Sequence, residues 1–127
     1  MSVPASSPTG DDALTVRPGK WTLTVVTLLR DQTLRFSEIR RNAGGISQKT
    51  LTITLRELER DGFVQRTMFA TIPPRVDYQL TELGRGLLEL ADHLRVFTVR
   101  HRAEIHAARE RFDAAGGEPE IELRHPV

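Results

Sequence analysis

The side chains best suited to molecular recognition are concentrated in one short segment, residues 47–56. Amide, hydroxyl, ammonium and guanidinium groups can donate to base edges and phosphates, and a threonine methyl can contact thymine. The segment is therefore a candidate nucleic-acid-reading helix, although any globular protein has amphipathic helices with a solvated polar face. The candidate contact residues in it are Ser47, Gln48, Lys49, Thr50, Thr52, Ile53 and Arg56.

The periodicity of this segment predicts an amphipathic helix. At about 100° per residue, Leu51, Leu55 and Leu58 fall on one face and the polar residues point away from it. Ser47 stands where an N-cap is expected. Gly62 suits the left-handed conformation that ends many helices. The polar face is therefore expected to be free for a partner.

Five further basic residues stand at the ends of the predicted elements. Side chains in such places can reach a nucleic-acid backbone beside the groove that the helix enters. We assign phosphate contacts to Lys20, Arg40 and Arg41, and a phosphate or minor-groove contact to Arg75. Arg35 is a further candidate contact. For each of them, a surface position without any nucleic-acid contact is the alternative.

The distribution of charge is more informative than its total. The chain has 18 basic and 17 acidic residues, a net charge of +1, but residues 17–80 alone carry a net +5. A basic segment of this kind is a weak indication of a polyanion-binding surface. Most of the basic residues are arginines, which suit bidentate phosphate and guanine contacts, although the base composition of the genome could produce the same bias.

Several kinds of chemistry lack the residues they need. The 127 residues contain no cysteine, and the four histidines have no carboxylate at a trustworthy ligand spacing. Nucleotide-binding and nucleophile motifs are absent, and the apolar runs are far shorter than the ~20 residues that span a bilayer. We therefore expect no catalytic residues, cofactor, metal or membrane contact, and a cytoplasmic, nucleoid-associated protein.

Two shorter helices are predicted before the candidate reading helix. Apolar residues at helical spacing predict one over residues 20–30. A second opens at Phe36, with Ser37 as its N-cap, and breaks at Gly44 and Gly45.

A β-hairpin is predicted after the reading helix. Residues 64–70 and 76–80 are expected to be its strands, with residues 71–75 as the tip because two prolines cannot lie inside a ladder. Alternation in the second strand places Asp77 and Gln79 on its solvent face.

A long amphipathic helix is predicted over residues 82–115. Its apolar stripe exceeds what a small core needs, so part of it is expected to face a second copy of the chain. Residues 1–10 and 116–127 are expected to be flexible tails flanking a domain at 11–115. The predicted dimer-interface residues are Leu14, Leu87, Leu90, Leu94, Phe97, His101 and Ile105.

The element order predicts a mainly α fold with a small β-hairpin (α+β), a winged helix-turn-helix with a long C-terminal dimerisation helix. Six strings of the chain carry a family resemblance: GKWT (19–22), RFSEIR (35–40), GISQKTLT (45–52), LRELERDG (55–62), PPRVDY (73–78) and LTELG (80–84). In their order and spacing the chain resembles the HxlR-type winged helix-turn-helix transcriptional regulators. The resemblance implies a homodimeric bacterial DNA-binding regulator that dimerises through its N-terminal segment and C-terminal helices. It also implies that residues 47–56 form the recognition helix and residues 73–75 the wing tip.

Two departures from the family pattern bear on regulation. Many members carry a cysteine thirteen residues before the tryptophan, and several sense oxidants or electrophiles through it. This chain has Pro8 at that position, before Trp21. The first helix of the family is also reduced to about residues 11–16. We therefore expect control by a small-molecule effector, in a pocket between the long helices and the winged domain, and not by cysteine oxidation.

These features predict a homodimeric repressor that binds a pseudo-palindromic operator in double-stranded DNA, with each recognition helix in a major groove. One alternative is a winged-helix domain used for protein–protein interaction, which steep salt dependence of DNA binding would exclude. Another is a small-molecule binding or enzymatic domain, in which loss of the Gln48 and Arg56 side chains would leave function intact.

Overall fold

The computed structural model describes residues 15–119 and residue 121. The chain divides into two compact units, Met1–Ala91 and Asp92–Val127. The predicted N-terminal tail and Leu14 lie outside the described residues, as do most of the shortened first helix and most of the C-terminal tail. Within the described part of the chain, no helix is both long and apolar enough to cross a membrane.

The first unit combines helices with a small antiparallel sheet, which confirms the predicted mainly α fold with a hairpin. The sheet order is β1-β3-β2, so the last strand in sequence lies in the centre. The final helix of the unit continues into the second unit. The elements are α1 (Lys20–Leu28), β1 (Leu34–Arg35), α2 (Phe36–Ala43), α3 (Gln48–Arg60), β2 (Val64–Phe69), β3 (Arg75–Leu80) and α4 (Glu82–Arg100).

The hydrophobic core of this unit joins one face from each of its first three helices. Val25 and Val26 of α1, Ile39 of α2 and Leu51 of α3 are all fully buried. Burying an aliphatic side chain of this size contributes roughly 1.5–3 kcal/mol each. The predicted apolar face of α3 is confirmed, and the core fixes α3 from that side.

Both ends of α3 are as predicted. The Ser47 side chain caps the helix, because its Oγ accepts a hydrogen bond from the backbone N–H of Thr50 at 3.0 Å. At the other end Gly62 adopts a φ of 82°, which a residue with a side chain rarely adopts. The cap at Ser47 and the turn at Gly62 set the length of the helix.

The predicted cap of α2 is wrong. Arg35 is the N-cap, and Ser37 lies inside the first turn of the helix. The Glu38 carboxylate accepts a hydrogen bond from the Arg35 backbone N–H at 2.9 Å, as in a capping box. Arg35 also belongs to the short strand β1, so the extended backbone runs directly into the helix at Phe36 and Ser37 falls inside the first turn.

The hairpin differs from its prediction in two respects. Arg75 pairs with Phe69 in the ladder, so it is the first residue of β3 and not part of the tip. The strand β1, whose Leu34 pairs with Tyr78, was not predicted from the sequence. With a neighbour on each side, β3 is an interior strand, and this changes the environment of its polar residues.

Gly84, in the first turn of α4, packs against the turn that follows α3. A Cβ atom built on Gly84 would lie 2.0 Å from the carbonyl oxygen of Phe63. Its N–H donates to the Thr81 hydroxyl at 3.0 Å, and that hydroxyl donates to the Gly62 carbonyl. The start of α4 is therefore held against the end of α3 by a contact that only glycine permits.

Substitution of two glycines in α4 tests this packing. Gly84→Ala should lower the free energy of unfolding by about 1–3 kcal/mol or more, because the new methyl overlaps backbone. Gly86→Ala is the matched control: its Cβ would meet nothing within 4 Å. It should raise the free energy of unfolding by about 0.5–1 kcal/mol. Urea denaturation measures both, and equal stability of the two variants would contradict the close contact.

The second unit contains the end of α4 and a further helix, α5 (Arg102–Ala114). The prediction of one uninterrupted helix is wrong at His101, whose backbone leaves the helical region at φ −108° and ψ 15°. The imidazole turns toward the first turn of α5, with its Nδ1 atom 3.1 Å from a Glu104 carboxylate oxygen. The break falls at neither a glycine nor a proline, so the sequence carries no signal for it.

Candidate nucleic-acid interface

The two faces of α3 differ sharply in burial. Leu51, Leu55 and Leu58 are buried in the core, as is the hydroxyl-bearing Thr54. Thr50 is half-buried at the edge between the faces. The other residues proposed to contact nucleic acid in this helix, and its N-cap, are exposed: Ser47, Gln48, Lys49, Thr52, Ile53 and Arg56.

The hydroxyl groups of this surface are already used by the helix. Ser47 Oγ donates to Thr50 Oγ1 at 2.9 Å while capping the helix. Thr52 Oγ1 donates to the Gln48 carbonyl at 2.8 Å, one turn back. The hydroxyls of Ser47 and Thr52 keep lone pairs for accepting, but their protons are engaged. These residues therefore shape the surface more than they supply free donors.

Three longer side chains supply the free donors. Among the described residues, none offers a hydrogen bond or ion pair to the side chains of Gln48, Lys49 or Arg56. An unpaired guanidinium can make two parallel bonds to guanine, and an amide can do the same to adenine. The exposed face of α3 thus has the donors that direct base reading needs.

Arg40 and Arg41 lie beside the start of α3. Both are exposed in the last turn of α2, and they line a depression of about 510 Å³ together with Gln48. The first backbone N–H groups of a helix and its positive dipole end attract phosphate. The structure therefore brings these two arginines to the helix end where a phosphate would be held.

Lys20 and Arg35 lie at the starts of α1 and α2, and both are exposed. The Lys20 ammonium stands 4.9 Å from the centroid of the Trp21 ring, a cation–π contact that orients it. Arg35 pairs with Asp77 in the sheet register. Arg35 therefore lies next to strand β3 of the hairpin, whereas Lys20 contacts a side chain of its own helix, α1.

Arg75 is tightly held within the hairpin. Its Nε and Nη2 atoms donate to the two carboxylate oxygens of Asp77 at 3.0 and 2.8 Å. Its guanidinium also lies 5.2 Å from the centroid of the Phe69 ring. A guanidinium has five donors, so this arrangement leaves others for a partner while fixing the direction of the side chain.

The expectation that Asp77 lies on the solvent face is wrong, because this residue is only 7% exposed. Asp77 lies on the interior strand of the sheet and is covered by the Arg75 guanidinium. The hydrogen bond from Arg75 lowers the pKa of the Asp77 carboxyl below its ordinary value, and it raises the pKa of Arg75. Sequence analysis missed this positioning residue because its alternation signal matches that of a solvated side chain.

The Arg75–Asp77 pair predicts an acid-dependent stability. Because the folded pKa of Asp77 is below its unfolded value of about 3.9, the pair stabilises the fold above that pH and loses effect as pH falls through the folded pKa. Asp77→Asn should lower the melting temperature at neutral pH, and the gap to the unchanged protein should narrow below about pH 4. In an Arg75→Gln background the same substitution should give no such narrowing. Melting curves across pH test both, and parallel profiles in the two backgrounds would contradict the pairing.

A second ion pair joins α3 to the hairpin. Arg66 of β2 lies with its Nε atom 3.2 Å from a carboxylate oxygen of Glu59, near the end of α3. Both side chains are partly exposed, so the pair adds little stability by itself. Neither residue could be recognised in the sequence, because a pair formed across a turn has no local pattern.

A helix, a glycine turn and a second helix with a free polar face, followed by a hairpin, make a winged helix-turn-helix. This is a class of DNA-binding domain in which the second helix of the motif enters the major groove. The chain belongs to the HxlR-like helix-turn-helix family, whose sequence profile matches residues 16–105. It is therefore a transcriptional regulator of the helix-turn-helix type.

Relatives and solved structures agree with this assignment. The chain is 37% identical over 91 residues to the uncharacterised regulator YtfH of Escherichia coli, which covers 72% of each protein. A regulator from Methanothermobacter thermautotrophicus is 47% identical over 76 residues, and the match spans 58% of that protein. Reduced HypR, described as a redox regulator, superposes with a TM-score of 0.69 at 37% identity, covering 75% of this chain and 94% of HypR. YtfH of Salmonella typhimurium gives 0.65 at 37% identity, covering 72% and 82%.

Proposed function

We propose that the protein is a homodimeric repressor that binds a pseudo-palindromic operator. In each protomer α3 lies in a major groove, and the hairpin lies along the flanking backbone. The observation that carries this proposal is the set of unused donors on α3. Gln48, Lys49 and Arg56 are exposed and unpaired within the described chain, whereas the opposite face of the helix is buried.

The proposed contacts divide into two kinds. Gln48 and Arg56 read base edges, because their amide and guanidinium can bond in pairs. Lys20, Arg40 and Arg41 hold phosphates. Arg75 contacts a phosphate or the minor groove with the donors that Asp77 leaves free, so its contact is directed by the wing itself.

DNA binding by variants tests this division. Arg56→Ala should cost about 1–3 kcal/mol of binding free energy and relax the preference at one base position. Arg41→Ala should weaken binding to all sequences alike and reduce the slope of log affinity against log salt by about one. Fluorescence anisotropy with DNA upstream of the protein's own gene, repeated over a range of salt, measures both.

Arg109→Ala is the control for that experiment, since Arg109 is exposed on α5 and has no proposed contact. Its affinity should equal that of the unchanged protein. Equal, weak binding to this upstream DNA and to unrelated DNA of the same length would contradict sequence-specific recognition. Binding that does not weaken with salt would favour the alternative of a winged-helix domain that contacts another protein.

An exposed apolar stripe supports the dimer. Leu90, Leu94 and Phe97 recur at helical spacing on α4 and are each about half exposed. Monomeric proteins rarely expose apolar side chains in such contiguous rows. His101 and Ile105 continue the spacing of this stripe along the chain, and both are half-buried. Leu87 is only 6% exposed in the core of its own unit, so we leave it out of the proposed interface.

A charge placed in the stripe tests the dimer. Leu94→Asp should raise the dimer dissociation constant at least about a hundredfold, because dimerisation would bury an unpaired carboxylate. Val96→Asp is the matched control: Val96 is 51% exposed against 49% for Leu94 but lies on another side of the helix. Analytical ultracentrifugation should find a dimer for Val96→Asp and a monomer for Leu94→Asp. The reverse result would place the interface elsewhere.

Regulation by cysteine oxidation has no residue to act through, since the 127 residues contain no cysteine. We propose that a small molecule controls operator binding instead. The relative HypR is described as a redox regulator, so this chain would share the fold of that protein and differ in its trigger.

A further inference from the structure

A cleft lies where α2, α3 and the two longer strands meet. Its volume is about 450 Å³, within the range of roughly 300–1,000 Å³ typical of small-molecule sites. Phe36, Leu55 and Tyr78 supply its apolar surface, one from each of three different elements. An apolar cavity of about 150 Å³ is enough for benzene, so this cleft has room for an aromatic ring with a substituent.

The charged part of the cleft is cationic. Arg56 and Arg66 line it together with one carboxylate, that of Glu59. Glu59 pairs with Arg66 at 3.2 Å, whereas Arg56 has no partner among the described residues. A guanidinium with unused donors beside apolar surface suits a carboxylate, which it can bind through two parallel hydrogen bonds.

Tyr78 adds a donor to the same wall. Burial raises the pKa of its hydroxyl, so the group is protonated at neutral pH. No hydrogen bond to that hydroxyl is made within the part of the chain that the structure describes. The cleft thus combines an aromatic wall, a hydroxyl donor and an unpaired guanidinium.

We propose that this cleft binds a small aromatic carboxylate, with its ring against Phe36 and Tyr78 and its carboxylate on Arg56. A role of this cleft in regulation rests on the proposed function, since it requires that the protein bind an operator. Arg56 is also a proposed base contact and Gln48 lines the same cleft. An occupant of the cleft and an operator therefore compete for one surface of α3.

Titration of the ¹⁵N-labelled full chain with benzoate, followed by NMR, tests the site without DNA. The amide shifts should concentrate at Gln48, Thr52, Arg66 and Tyr78. The neutral analogue benzamide should bind at least about tenfold more weakly than benzoate. Inorganic phosphate should not reproduce the benzoate shifts, since it has no ring for the apolar wall.

Two arginine variants sharpen the assignment. Arg56→Ala should weaken benzoate binding about tenfold or more, whereas Arg60→Ala, one turn along the same helix and outside the cleft, should leave it unchanged. Equal melting temperatures show that both variants are folded. Benzoate shifts that lie elsewhere, that are absent up to the solubility limit, or that survive in Arg56→Ala would overturn the site.

Competition with DNA is measured separately from binding. Benzoate at saturation should lower operator affinity at least tenfold in the unchanged protein, and benzamide at the same concentration should not. Benzoate that binds the cleft but leaves operator affinity unchanged would overturn the competition. Failure of operator binding in the absence of benzoate would instead contradict the proposed function, while the NMR titration would still decide the cleft.

Discussion

Burial of one face of α3 governs what the protein can present on the other. Leu51, Leu55 and Leu58 pack into a core shared with α1 and α2, so α3 cannot turn about its axis without exposing them. The polar side chains are thereby held outward, although those of Gln48, Lys49 and Arg56 have no hydrogen bond or ion pair within the described chain. The orientation of the polar face of α3 is a product of hydrophobic packing on the far side of the helix.

The features that could be predicted from sequence are those with a local cause. The cap at Ser47 and the stop at Gly62 each depend only on residues within one turn of that position. The leucine face follows from the helical repeat alone. The family resemblance gave the order of elements on similar grounds. Each of these signals is readable in a window of a few residues.

What could not be predicted depends on contacts between distant segments. The strand at Leu34 exists because β3, more than forty residues later, offers it a partner. Asp77 appears solvated by alternation, yet a neighbouring arginine and an interior strand bury it. At the candidate site most of the donors could be located from sequence, but their partners could not. Arg75 is engaged by Asp77, and Glu59 and Arg66 meet only when the turn between α3 and β2 is folded.

Pairing of charges converts a basic surface into a directional one. A row of free arginines would attract any polyanion from any approach, because long flexible side chains adapt to it. Here Arg66 and Arg75 are held by carboxylates, whereas Arg56 is left free. The two carboxylates lower the net charge of the surface, but the donors left over on the paired arginines are held in fixed directions, which favours selectivity over simple attraction.

The glycine contact at the start of α4 has a mechanical consequence. Most helices pack through side chains that can change rotamer when their neighbours move, but here the backbone of Gly84 meets the backbone carbonyl of Phe63. No side chain lies between the two backbones to adjust to a movement of either one. The first turn of α4 and the end of α3 must therefore move together, so a displacement of that turn is passed to α3 without being absorbed by a rearrangement of side chains.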